Sequence, residues 1–311
     1  RLRAALESAL QSGIVLSVLA SCLFGVLYYF STLLLPLKGE EIFGWRMLLT
    51  LPCVTAFLLW NRDWGLVRKI AARVRHNPWL LIGMLATSAL LAVQLFIFLW
   101  APINGSAMSV SLGYFLMPLT LLLAGQILYR ESLSPLQWLA TALAAIGALH
   151  ELMSNGSFSW ETAVVAVGYP LYFILRRALA TNDVGGMWFD MLLMAPAAAW
   201  FALENGGSLA TITRHPDLIY LLPLLAILSA AAFVSYVTSA KRLPMGLFGL
   251  LGYVEPVLMV GVALMVGESL RTAQYATYGP IWAAVAVLVI EGILTLYAAR
   301  QRYPELSSGQ R

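Results

Sequence analysis

The sequence predicts an all-α polytopic membrane protein of ten transmembrane helices, built as two inverted five-helix repeats. Three observations carry that prediction. Hydrophobic residues make up 60% of the 311 and charged residues 11%, with a mean hydropathy of +0.81, a solvent preference that no soluble domain of this size has. Apolar runs of about 20 residues, the length that crosses ~30 Å of hydrocarbon as a helix, recur along the whole chain. The third observation is an internal copy. The stretch SLGYFLMPLTLLLAGQILYRESLSPLQW, Ser111 to Trp138, returns in altered form as LLGYVEPVLMVGVALMVGESLRTAQY, Leu250 to Tyr275, so that Gly113-Tyr114, Pro118, Glu131 and Gln137 are answered by Gly252-Tyr253, Pro256, Glu268 and Gln274.

In chain order, residues 1–12 are expected to form a polar lead on the cytoplasmic side. The first span runs from Gly13 to Leu35, longer than a signal-peptide core and without a small-residue cleavage pattern, and Pro36 ends it. A second span, Glu40 to Trp60, is followed by a basic stretch holding Arg62, Arg68, Lys69, Arg73 and Arg75. The third covers Pro78 to Trp100, the fourth ends at Tyr129, and the fifth runs from Pro135 to Met153, which closes a first repeat of residues 13–153. After the polar turn Ser154-Asn155-Gly156-Ser157, spans at Trp160–Leu179, Gly186–Leu203, Leu218–Ala240, Met245–Val266 and Ala273–Tyr297 form the second repeat, residues 158–297. Residues 298–311 read as a polar cytoplasmic tail.

Five crossings per repeat are an odd number, so the second copy starts on the side opposite the first and must be inverted. The charges agree. With the N-terminus inside, fifteen of the nineteen Lys and Arg fall at inner span ends, Lys38, Arg214 and Arg271 are left outside, and Arg46 alone sits within a span. The positive-inside rule therefore puts both termini in the cytoplasm. Cys22 and Cys53 lie inside apolar spans and read as small buried residues, and His76, His150 and His215 do not cluster, so no metal or cofactor is expected. Nothing points to a nucleic-acid partner; a small-molecule substrate and the bilayer are the partners implied, for a monomer or a homodimer.

Candidate site residues follow from cost, since an ionisable side chain near the bilayer centre costs roughly 2.5–3.5 kcal/mol. Glu255 sits mid-span beside Pro256, whose missing N–H frees a carbonyl one turn earlier. A carboxyl there can exchange a proton in each access state, or it can be a protonated group that fixes helix packing. Arg46 lies about 9 Å into the second span, with Glu41 five positions before it. It reads as an anion contact in a cavity or as the partner of Glu255 or Glu41. Asp190, which holds in the second half the place of Glu41 in the first, is a second candidate for proton coupling. Glu131 and Glu268 read as structural partners of loop backbone or of Arg130 and Arg271, and Glu291 as a near-interface residue. Gly246, Gly249 and Gly252 form a smooth stripe that permits close helix approach. Tyr28, Tyr29, Tyr114, Tyr169, Tyr172 and Tyr253 lie within spans, where each hydroxyl needs a partner or a cavity; Tyr114, Tyr172 and Tyr253 are taken as substrate-facing. Trp60, Trp100, Trp138, Trp160 and Trp282 read as interface anchors.

The runs EEIFGWR at Glu40–Arg46, SLGYFLMPL at Ser111–Leu119, ES with QWLA at Glu131–Ala140, and YVEPV with GES at Tyr253–Ser269 resemble EamA-domain carriers of the drug/metabolite transporter superfamily. The likeness is to the RarD-type branch, often labelled chloramphenicol-sensitivity proteins, and covers about residues 13 to 300. The chain departs from that pattern at Trp45, where such sequences have a histidine, at Gln94-Leu95 in place of Asn-Trp, and at Ser109 in place of an acid. Those positions are expected to face the cavity, so Trp45 and Gln94 join Glu41, Arg46, Tyr114, Tyr172, Tyr253 and Glu255 as substrate-binding candidates, while substrate identity is not carried over.

The resemblance implies a secondary carrier in a bacterial inner membrane that moves a small organic molecule, a drug or an amino-acid-like or cationic metabolite, by alternating access. Export is the reading carried forward. An importer or facilitator of a quaternary amine, amino acid or metallophore is the alternative, and a non-transporting scaffold or sensor is the reading from a different class. No reactive constellation suggests an enzyme, and without a P-loop the chain alone is no ATP-driven pump.

Overall fold

The computed structural model describes residues 2–103, 107–155, 160–204, 207–258, 272 and 275–302, and among them the regular structure is entirely helical. The helices are α1 (Leu2–Thr32), α2 (Gly39–Trp60), α3 (Trp64–His76), α4 (Trp79–Ile103), α5 (Ala107–Tyr129), α6 (Pro135–Asn155), α7 (Trp160–Ala178), α8 (Val184–Leu203), α9 (Gly207–Arg214), α10 (Leu218–Arg242), α11 (Met245–Leu251) and α12 (Tyr275–Arg302). Six of the described helices contain segments long and apolar enough to cross a bilayer: Leu10–Phe30, Gly39–Trp60, Trp79–Phe98, Pro135–Ser154, Val184–Leu203 and Leu218–Arg242. Shorter apolar segments cover Leu116–Tyr129, Met245–Leu258 and Tyr275–Glu291. The outer surface carries Val15, Leu19, Val26, Ile82, Ile127, Ile146 and Ile219, all well exposed. Such a surface needs lipid as its solvent.

Helices distant in sequence make the bundle. α1 packs against α10, α2 against α8, α4 against α7 and α8, α5 against α7 and α11, and α6 against α12. With no hydrophobic drive between helices in lipid, close approach through small residues does the work. A Cβ at Gly44 would lie 2.5 Å from the Ala198 carbonyl oxygen and 2.6 Å from the Ala202 nitrogen, so α2 and α8 meet backbone to backbone. At Gly249 a Cβ would lie 2.7 Å from Leu121 Cβ and 3.0 Å from the Pro118 oxygen, which accounts for part of the predicted glycine stripe as a close-packing surface of α11 on α5.

Several elements differ from their sequence expectation. The first helix begins at Leu2, so the expected lead belongs to it, and it ends at Thr32, before Pro36. The last helix runs to Arg302, beyond the expected start of the tail. The basic stretch after α2 is the amphipathic helix α3, seated by Val67 and Ile70, and α9 follows α8 in the same way. The segment expected as the ninth span is interrupted: after Leu251 come turn residues Gly252 and Tyr253, and helix resumes over 254–258. The Gly252 N–H donates to the Gly249 oxygen at 3.0 Å and the Tyr253 N–H to the Leu250 oxygen at 3.2 Å, while Pro256 has no N–H to offer the Gly252 carbonyl. Cys22 is exposed on α1 and Cys53 is half-buried, so burial does not explain both. Glu268, Arg271 and Gln274 lie outside the described residues.

Candidate functional site

A cavity opens in the middle of the bundle. Its walls come from α1 (Phe24), α2 (Arg46), α4 (Leu91, Leu95, Phe98), α5 (Tyr114, Met117), α7 (Tyr169, Tyr172), α8 (Met187), α10 (Phe233, Tyr236, Val237) and the broken ninth segment (Glu255). It adjoins a smaller space lined by Phe24, Leu27, Tyr28, Ile42, Arg46, Phe98, Leu225 and Glu255. Arg46 and Glu255 line both spaces and therefore stand where the two meet.

Among the described residues Arg46 is held from one side only. Its Nε donates to Ser229 Oγ at 2.9 Å, and its guanidinium lies 5.3 Å from the centre of the Phe233 ring, so one face of α10 orients it. Glu255 is half-buried and takes no hydrogen bond or ion pair from the described residues. No ion pair joins the two among the described residues, where the ion pairs found are Arg176–Asp190, Arg177–Glu131 and Lys241–Asp183. The alternative in which Arg46 spends its charge on Glu255 or Glu41 is thus not the arrangement here. The walls are aromatic: ring centres lie 5.8 Å apart for Phe98 and Tyr114, 6.0 Å for Tyr114 and Tyr169, 5.6 Å for Phe24 and Phe233, and 5.7 Å for Phe24 and Tyr236.

Tyr236 of the cavity wall packs against Phe173 and Phe248, with the three ring centres 4.8 to 5.7 Å apart. Beyond them lies a cleft lined by Phe173, Arg176, Arg177, Asn182, Val237, Ala240, Met245 and Phe248. Polar ties cross this region. Glu131 accepts from the Met245 N–H at 2.7 Å and the Gly246 N–H at 2.8 Å, capping α11, and pairs with Arg177 at 3.5 Å. The backbone role expected of Glu131 holds, with Arg177 rather than Arg130 as its cation. Lys241 meets Asp183 at 3.7 Å, and Arg73 donates to the carbonyls of Leu179 and Ala180 at 2.7 and 3.0 Å.

The structure brings Arg46, Tyr114, Tyr172 and Glu255 together on the cavity wall, with Leu95 of the divergent Gln94-Leu95 pair. It places the other candidates elsewhere. Glu41 accepts from the Lys38 N–H at 2.8 Å as part of the capping box of α2. Trp45 packs against the Leu27, Phe30 and Leu222 cluster, with its indole nitrogen buried and unbonded among the described residues. Gln94 donates to the Val164 carbonyl at 2.9 Å and faces Gly168 of α7, and its Oε1 is buried without a partner there. Tyr253 is fully buried against Leu122, Ala144, Ile281 and Ala284, on the side facing α6 and α12. Asp190 is buried behind Tyr172, accepting from its hydroxyl at 2.9 Å and from Thr87 Oγ1 at 2.7 Å, and pairing with Arg176 at 3.3 Å. Trp282, expected as an anchor, is half-buried with its indole nitrogen enclosed, whereas Trp60, Trp138 and Trp160 are exposed. The side chains of Trp100 and Ser109 lie outside the described residues.

Sequence reasoning missed Tyr236 and the buried role of Arg176. Ser229, Phe233 and Tyr236 are spaced by four and three, one face of a helix, a signal that was present. Arg176 had only its neighbour Arg177 and a span end to mark it.

Residues 11–150 match the EamA-like transporter family. The chain is 39% identical to an uncharacterized transporter of Pasteurella multocida over 94% of this chain and 99% of the relative. It is 42% identical to the chloramphenicol-sensitive protein RarD of Pseudomonas aeruginosa over 88% of this chain and 92% of that protein. The chain belongs to the EamA-like transporter family. Within the drug/metabolite transporter superfamily it is a RarD-type protein, and it also aligns at 27% identity with the RarD protein of Salmonella typhi over 92% of this chain and 97% of the relative. A solved crystal structure superimposes with a TM-score of 0.64 at 19% identity, over 90% of this chain and 98% of that one, so the two share a fold. An EamA family member with six apolar helices among its described residues is a multi-pass membrane transporter.

Proposed function

We propose that this RarD-type carrier is a secondary exporter of a small organic molecule, drug, amino-acid-like or cationic metabolite, across the bacterial inner membrane, with the aromatic cavity as its central binding site. The observation that carries the reading is the pair Arg46 and Glu255: opposite charges on one cavity wall, neither spent on the other. In hydrocarbon an unspent charge is costly, and a ligand or a proton is what would use it.

The reading extends the six apolar helices to ten crossings in two inverted repeats, residues 13–153 and 158–297, with both termini cytoplasmic. The packing supports it. Exchanging the halves turns α1 on α10 into α7 on α4, and α2 on α10 into α8 on α4, while α2 on α8, α5 on α11 and α6 on α12 return to themselves; each of these contacts is present. Alternating access then follows from rocking one half against the other around the cavity. On this reading the Phe173, Tyr236 and Phe248 cluster is the closed gate, which the proposed topology puts on the cytoplasmic side. Proton coupling is assigned to Glu255. Asp190, with its three partners, is assigned to holding Tyr172 in place rather than to exchanging protons itself.

Purified protein screened by thermal shift against amino acids, quaternary amines, antibiotics and metallophores should give a clear shift with one class. That compound, loaded into vesicles, should leave faster with protein than without, and Glu255→Gln should abolish acceleration by a proton gradient. Flux unchanged by the protein for every compound that binds would refute transport, and gradient-driven flux that survives Glu255→Gln would refute the coupling role.

A further inference from the structure

α3 is a surface helix on which Arg68, Lys69 and Arg75 form no bond to the protein among the described residues. Among the described residues Arg73, Arg176, Arg177, Lys241 and Arg242 each bond to the protein, through carbonyls, carboxylates or the Ser12 hydroxyl. Arg62, Arg68, Lys69 and Arg75 are exposed and form no such bond. At 100° per residue Val67 and Ile70 face the bundle, where Ile70 joins Leu80 and Met84. The opposite face carries Arg68 and Arg75 along one edge, Lys69 and His76 along the other, and Gly65 and Ala72 between them. A Cβ at Gly65 would meet nothing within 4 Å, so the floor between the two rows is open. No acidic residue falls between Trp64 and His76.

The flanks fix the height of this face. Trp60, at the end of α2, is 89% exposed and Trp79, at the start of α4, is 77% exposed. Amphipathic indole rings settle at the level of lipid headgroups. A helix strung between two of them runs along that level, with its cations within reach of the phosphates of the adjoining leaflet.

We propose that the outward face of α3 docks anionic phospholipid, seating phosphodiester headgroups between Arg68 and Arg75 on one side and Lys69 on the other. Because Arg73 of the same helix grips the Leu179 and Ala180 carbonyls, a lipid held on α3 also steadies the loop between α7 and α8.

The test is retention of lipid by the full chain, measured by native mass spectrometry after exchange into mixed micelles of phosphatidylglycerol and phosphatidylcholine. Wild type is expected to retain the anionic lipid preferentially. Each cation near a charged surface is worth about a fivefold factor, so R68Q/K69Q/R75Q should lower that affinity roughly 100-fold. The control K38Q/R130Q/R214Q, which removes equal charge elsewhere, and R68K/R75K, which keeps the charge in place, should behave as wild type. If the α3 triple variant does not purify as a monodisperse protein, the salt dependence of wild-type retention replaces it, and retention that does not fall between 50 and 500 mM salt overturns the proposal. Equal retention of both lipids by wild type, or equal loss in both triple variants, overturns it too. So does displacement of the lipid by millimolar inorganic phosphate, which would make the face an anion site, or binding of polyglutamate in preference to lipid, which would make it a docking site for an acidic protein.

Discussion

Removing Arg176 isolates a buried charge, and its cost is readable from the structure. The side chain is 2% exposed and so is its partner Asp190, 3.3 Å away. Arg176 also donates to the Tyr172 hydroxyl at 2.6 Å, to the Thr181 carbonyl from Nε at 3.0 Å, and to the Asp183 carbonyl at 2.5 Å. Arg176→Gln therefore leaves the Asp190 carboxyl with the Thr87 and Tyr172 hydroxyls and deprives the loop before α8 of its internal anchor. Breaking a buried pair in this way costs about 3–5 kcal/mol. With an unfolding entropy of about 2.1 cal/mol/K per residue over 311 residues, that is a fall in Tm of roughly 5 to 8 °C. Asp190→Asn removes the charge at constant shape and leaves Arg176 with its carbonyl acceptors, so it should cost less. The double variant R176Q/D190N should cost less than the sum of the two, because no unpaired charge remains. Thermal unfolding of the four proteins in one detergent completes the cycle. Strict additivity, or a change in Tm under 2 °C for Arg176→Gln, would refute the pairing as the source of stability.

Three further outcomes follow from particular contacts. Glu131→Ala removes two charge-assisted caps on α11 and should cost about 2–4 kcal/mol in a melt, Glu131→Gln about half of that, and both should slow flux by loosening the segment that leads to Glu255. Gly44→Ala drives a methyl into the backbone of α8 and should cost about 1–3 kcal/mol; Gly65→Ala, with open space around it, should leave stability unchanged or raise it by up to about 1 kcal/mol. Arg46→Gln should weaken binding of carboxylate-bearing ligands at least tenfold in titration calorimetry and leave cationic ones within threefold, and equal losses for both would remove Arg46 from the contact surface.

What was legible in the sequence is what the bilayer enforces. Span lengths, the internal copy and the lone arginine in α2 all reflect costs large enough to leave a pattern in the residue order, and Arg46 and Glu255 reached the cavity as their cost implied. The interruption of the ninth span could be read from Gly252 and Pro256, a residue that cannot donate one turn after one that permits a turn. The direction in which a tyrosine points could not. Tyr114 and Tyr253 correspond in the copy, but Tyr114 lines the cavity while Tyr253, rotated by the turn it occupies, packs under α6 and α12. Rotational setting about a helix axis comes from packing against neighbours that the residue order does not name. Glu41 and Asp190 illustrate the same gap. The residue order places Glu41 five positions before Arg46 and Asp190 at the matching place in the second half, while each is held by a local donor or a cross-helix partner that only the fold supplies.

The buried polar groups of the bundle divide by whether the fold satisfies them, and that division assigns their roles. Arg176, Asp190, Thr87 and Tyr172 form a closed network; Glu131 has two N–H donors and a cation; Glu151 accepts from Thr277 Oγ1 at 2.6 Å. Such groups hold helices at fixed register, and removing a member costs stability. Among the described residues Arg46 has one neutral hydroxyl for a whole guanidinium, and Glu255 has no donor. Keeping these two open costs stability, so neutral substitutions at them are expected to raise Tm slightly while shrinking the ligand-induced shift, at Arg46 for carboxylate-bearing ligands and at Glu255 for cationic ones. Substitution in the closed network should do the reverse, lowering Tm while a residual ligand shift survives. A protein that melts lower on Arg46→Gln or Glu255→Gln, with the wild-type shift for every ligand, would place these residues with the scaffold.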